Sequence, residues 1–146
     1  MDDQHTDAPC FADFPSAVLR PAELEAFSRG GGASTIPLVN RARGARVFLN
    51  GQTLFDGEAG IPLHTHNCPE SVVILEGDAI AEIDGAEYEL TRFDTTYVPA
   101  GVPHRFRNAS ATVPMRILWT YASVDATRTL VETGVTNRVD AEHHTQ

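Results

Sequence analysis

Asp84 and Gly85 separate two short runs, Ala79–Ile83 and residues 87–90, and a two-residue Asp-Gly link between such runs is a strong signal for a tight β-hairpin. That local geometry recurs as a pattern. From Ile36 onward, short apolar segments alternate with turn residues: 46–55 (with a bend at Gly51), 61–66, 71–75, 95–99, His104–Asn108 and Met115–Tyr121. Strands of this length, broken by Gly, Pro and Asn, predict an all-β sandwich or barrel. The spacing places that barrel over residues 36–122, with no internal repeat and no second domain.

The flanks read differently. Residues 1–35 form an N-terminal arm, polar and Pro-punctuated, with Phe11 and Phe14 available to pack on a neighbouring surface. Within it, 21–28 is a short helix candidate: Pro21 suits the first turn, Glu23 the positive end of the dipole, and Leu24 and Phe27 share a face. Gly30, Gly31 and Gly32 end it. Residues 123–146 form a C-terminal strand and tail, in which 127–131 adds a strand at an edge and the polar remainder frays. His143 and His144 sit there as solvated bystanders.

Composition narrows the functional classes. A chain of 146 residues with 42% hydrophobic residues supports one domain with a core and excludes general disorder. A formal charge of −9 without a basic block argues against a nucleic-acid partner. The longest aliphatic run, residues 72–75, is far short of a membrane span. The N-terminus carries Asp2, Asp3 and Asp7 where a secretion signal needs basic residues. A cytoplasmic location, with Cys10 and Cys68 as free thiols, is the expectation.

The chemistry concentrates in residues 64–77. His64 and His66 are two apart, hence on one face of a strand, and Glu70 follows four residues later beyond Pro69. Two imidazoles and a carboxylate converging on a point suit Fe, Mn, Ni, Zn or Cu. A second stretch runs from Pro99 to Asn108 and carries His104, a fourth ligand from another strand.

These two blocks resemble the motifs of the cupin family. His64, His66, Glu70 and Gly77 stand in register with G-x5-H-x-H-x3or4-E-x6-G, and Pro99, Gly101, His104 and Asn108 with G-x5-P-x-G-x2-H-x3-N. Two leading glycines differ. The first falls at Glu58, between Gly57 and Gly60; the second falls at Phe93, before a retained Asp94. A Phe does not easily take the positive φ that glycine tolerates, so this turn is expected to depart from the family's.

The resemblance implies a double-stranded β-helix, a cupin jelly-roll barrel, with one divalent transition metal per chain on His64, His66, Glu70 and His104. Glu70 has two readings, ligand or base beside the metal. Cys68 lies off the ligand spacing and reads as a small buried thiol. Gly77 and Gly101 serve backbone geometry, and Asn108 hydrogen-bonds within the barrel.

Strand parity sends Val72, Ile74 and Phe106 inward as an apolar wall. Trp119 and Tyr121 share a face with Met115 and Ile117, as pocket lining or as core packing. The function implied is a metal-dependent enzyme, in the preferred form an iron dioxygenase acting on a small metal-chelating molecule. The alternatives are a non-redox cyclase, isomerase or lyase, and a non-catalytic barrel holding a sugar or other small ligand. The family also implies a homodimer.

Overall fold

The computed structural model describes residues 16–142. Phe11, Phe14, Cys10, His143 and His144 lie outside them. Twelve strands run in chain order: β1 (Phe27–Gly30), β2 (Ala33–Pro37), β3 (Leu49–Phe55), β4 (His64–His66), β5 (Glu70–Glu76), β6 (Ala79–Ile83), β7 (Ala86–Leu90), β8 (Thr95–Val98), β9 (His104–Asn108), β10 (Met115–Tyr121), β11 (Thr127–Leu130) and β12 (Thr136–Arg138). They form two six-stranded antiparallel sheets, in the orders β1-β2-β3-β10-β5-β8 and β12-β11-β4-β9-β6-β7. The fold is a jelly roll. No helix among the described residues is long and apolar enough to cross a membrane.

Alternation along the strands explains the two-layer core. In β3 and β10 every second residue is buried, which brings Leu49, Phe55, Met115, Ile117, Trp119 and Tyr121 to one side. Val72 and Ile74 from β5, and Phe106 from β9, complete the same core. Burying each such side chain stabilises the fold by about 1.5–3 kcal/mol relative to exposure. Gly51 sits mid-strand in β3 without a bend: it lies opposite Trp119, whose ring occupies the space a Cβ would need. The indole Nε1 donates to Thr53 Oγ1 at 2.8 Å, which satisfies it inside the core.

The Asp84-Gly85 hairpin forms as its sequence predicts. Ile83 pairs with Ala86, and both turn residues have positive φ, 52° at Asp84 and 87° at Gly85.

Two expectations change. The predicted helix at 21–28 is only a single 3-10 turn, Pro21–Glu23. Phe27 and Ser28 belong instead to β1, because pairing with β2 satisfies their backbone and a short helix with few apolar anchors offers less. The barrel therefore starts before Ile36, and it continues past Ala122. β11 pairs with β4, and β12 covers β11, so β11 is not itself the sheet edge.

The turn at Phe93 has the left-handed backbone that a glycine would readily take. Phe93 takes φ 76° and Glu58 takes φ 63°, the left-handed conformation at both leading-glycine positions. Phe93 tolerates it because its ring is exposed over the Arg92 guanidinium while Asp94 Oδ2 accepts from Thr91 N at 2.8 Å. Asn108 ties the opposite turn. Its amide donates to Asp56 O (3.0 Å) and Val113 O (2.8 Å), and its oxygen accepts from Ser110 N at 2.9 Å.

Candidate metal centre

The site lies on three adjacent strands of one sheet, β11, β4 and β9, facing β5 and β10 of the other. His64 and His66 both point inward from β4, and His64 pairs directly with His104 on β9. All three rings are buried. Their ring centroids are 4.7 Å (His64–His66), 4.4 Å (His64–His104) and 5.0 Å (His66–His104) apart. One ligand atom from each of the three lies within 4.8 Å of the others.

Backbone carbonyls fix the rings. Nδ1 of His64 is 2.6 Å from Pro62 O, Nδ1 of His66 is 2.9 Å from Thr127 O, and Nδ1 of His104 is 2.8 Å from Val102 O. A carbonyl only accepts, so each Nδ1 carries the proton; on His64 and His66 this leaves the Nε2 lone pair turned inward, while Nε2 of His104 meets Glu70. This is the outer-shell arrangement that orients metal-ligating histidines. Thr127 also explains what the C-terminal strand does for the site: β11 supplies the carbonyl that aims His66.

Burial also favours the neutral form of His64 and His66. It pushes His66 down to about 4, with Glu70 pulling the other way, and it pushes His64 lower still, helped by the positive charge of Arg128. Nε2 of His66 is buried with no hydrogen-bond partner. A buried, unsatisfied nitrogen beside two others carries a desolvation cost that a cation would remove. The donor set and this orphaned atom fit a transition metal.

Glu70 begins β5 at the edge of the cluster. Its Oε1 is 2.8 Å from His104 Nε2 and 3.7 Å from His66 Nε2. Burial pushes its carboxyl up, but the His104 hydrogen bond, nearby His66 and the Tyr121 hydroxyl outweigh this and hold it below its usual range. Tyr121 sits directly across from Glu70 in the β10–β5 register and packs its ring 4.6 Å from His66. Burial and the Glu70 charge push the Tyr121 hydroxyl far up, so it remains a donor.

Of the aromatic pair read as lining or core, Tyr121 lies against His66 and Glu70, while Trp119 packs beside it at 5.4 Å. Val72, Ile74 and Phe106 are all buried, with Phe106 edge-on to His104 at 6.4 Å. Cys68 is a buried free thiol outside the histidine trio, and burial pushes its pKa up.

Arg29 and Arg128 were not legible as site residues. Arg128 pairs with His66 across β11 and β4, so both side chains leave the same face of the sheet. It is buried and hydrogen-bonded to Tyr121. Arg29, on β1, is close enough to Glu70 to feel its charge. The alternation Thr127-Arg128-Thr129 places Arg128 on one face without saying which face is inward, and Arg29 fell in the predicted helix terminus.

A family model described as a cupin domain matches residues 52–121, which include both histidine blocks. An uncharacterized protein of Methanocaldococcus jannaschii is 37% identical over 57 residues; the match spans 38% of this chain and only 45% of that relative. Among solved structures, an RmlC-like cupin from Shewanella frigidimarina superposes with a TM-score of 0.67 at 20% identity, covering 76% of this chain and 94% of its own. The polyketide cyclase RemF from Streptomyces resistomycificus superposes with a TM-score of 0.68 at 18% identity, covering 85% of each chain. At such identities these are likenesses of fold. Family match, fold and the eight motif positions agree: residues 52–121 form a cupin domain.

Proposed function

We propose that the protein is a metal-dependent enzyme that holds one divalent transition metal on His64, His66 and His104 and acts on a small organic molecule able to chelate that metal. Iron is the preferred metal, and oxidation by dioxygen the preferred reaction. The observation carrying this reading is the buried trio of imidazoles whose Nδ1 atoms are all occupied by carbonyls, with His66 Nε2 left unsatisfied. Iron bound there supplies redox chemistry with dioxygen and Lewis acidity toward the substrate's oxygens.

The remaining tasks fall to the chain. The three carbonyls hold the rings in one tautomer. Glu70, buried and hydrogen-bonded to His104, takes a proton from the chelating substrate at its carboxylate. Tyr121 donates to that carboxylate and keeps it oriented. Val72, Ile74 and Phe106 exclude water from the inner wall. The test is oxygen consumption by the iron-loaded protein against catechols, β-diketones and α-hydroxy acids, beside the same protein loaded with zinc. Uptake by the iron form alone supports the reading; no uptake with any of them contradicts its redox part.

One observation favours a second reading. The buried Glu70–Tyr121–His104 network is proton-transfer machinery that needs no redox step. It suits cyclisation or isomerisation of a carbonyl compound, and RemF, of like fold, is a polyketide cyclase. Turnover by the zinc form without oxygen uptake would favour it.

A further inference from the structure

Beside the histidine cluster is an open cavity of about 610 Å³, within the range of small-molecule sites. It sits where β1 of one sheet approaches β11 of the other. Its wall includes Arg29 from β1 and Arg128 from β11, with the polar Ser28 and Asn137 and the apolar Pro62 and Leu130. Its described lining includes two cations and no carboxylate, in a chain whose net charge is −9.

Two of these residues belong to the metal centre as well. Pro62 provides the carbonyl that aims His64, and Arg128 hydrogen-bonds Tyr121, which donates to Glu70. The three histidines do not themselves line the cavity, so it adjoins the cluster through Pro62 and Arg128.

We infer that Arg29 and Arg128 form a receptor for an oxyanion, the carboxylate or phosphate of a small organic ligand whose other end is directed toward the histidine cluster. Two guanidinium groups on one cavity wall repel each other, and an anion between them turns that repulsion into paired charge-assisted hydrogen bonds. Anion binding stands on the cavity alone; calling the anion the substrate rests on the metal-enzyme reading.

The experiment is isothermal titration calorimetry on the zinc-loaded protein with succinate, phenyl phosphate and the neutral succinamide as probes. It is run on the wild type, Arg29→Gln and Arg128→Gln, with zinc content measured in each. Arg128→Gln changes a buried position, so its fold is checked by circular dichroism; Arg29, only half-buried, tests the same receptor independently. Binding of succinate or of phenyl phosphate, weakened about tenfold or more by Arg29→Gln at unchanged zinc content, supports the receptor. Succinate alone assigns a carboxylate, and phenyl phosphate alone a phosphate ester. No binding of either anion, equal binding of succinamide, or affinities untouched by both folded variants overturns it. A chain that takes up no zinc yet binds anions through Arg29 refutes the metal reading and leaves the receptor standing.

Discussion

Glu70 Oε1 lies 2.8 Å from His104 Nε2, and this contact joins the two sheets at the centre of the site. His104 thus has an acceptor on each ring nitrogen, Val102 O and Glu70. A metal ion held at Nε2 would take the place of a proton there. Glu70 also lies within reach of the Tyr121 hydroxyl.

Glu70→Gln separates the carboxylate's two readings. Gln keeps the shape and the partners His104 and Tyr121 but cannot take a proton. Metal content is expected to stay near the wild-type level while turnover falls by about 10²-fold or more. Metal analysis and steady-state kinetics check it; loss of metal would make Glu70 a ligand instead.

Asn108→Ala removes a buried amide shared by partly buried backbone groups of two turns. Leaving those acceptors unpaired is expected to lower stability by roughly 2–3 kcal/mol, with the urea m-value unchanged. A loss under about 0.5 kcal/mol would show that water replaces the side chain there.

Phe93→Gly and Glu58→Gly test the two left-handed positions. A non-glycine residue there carries about 1–2 kcal/mol of strain, while glycine adds about 0.5–1 kcal/mol of unfolded-state entropy. Both side chains are exposed and contribute little packing. Each substitution is expected to be neutral or stabilising by up to about 1 kcal/mol in thermal or urea unfolding. Destabilisation beyond about 1 kcal/mol would mean that the side chains hold these turns.

Much of this architecture is readable from period-two patterning. Asp84-Gly85 announces its own hairpin because the turn type demands those residues, and β9 and β10 begin and end where the alternation does. The histidine trio is readable because two motifs fix spacing on strands of known parity. What sequence alone hides is pairing. Phe27 and Ser28 look helical locally, yet β2 recruits them into a sheet, a tertiary override of a weak propensity. Arg128 shows the same limit: only its register with His66 reveals that its side chain turns toward the site. The carbonyls of Pro62, Val102 and Thr127 carry no side-chain signature at all, though they orient all three histidines of the trio.

The central claim, a metal held by three histidines, is tested most directly by elemental analysis of the protein purified without added metal, beside His64→Ala/His104→Ala. The account predicts near-stoichiometric transition metal in the wild type, iron foremost, and its loss in the double variant. Wild-type protein that takes up no metal even after incubation with iron, manganese, nickel, zinc or copper would contradict it.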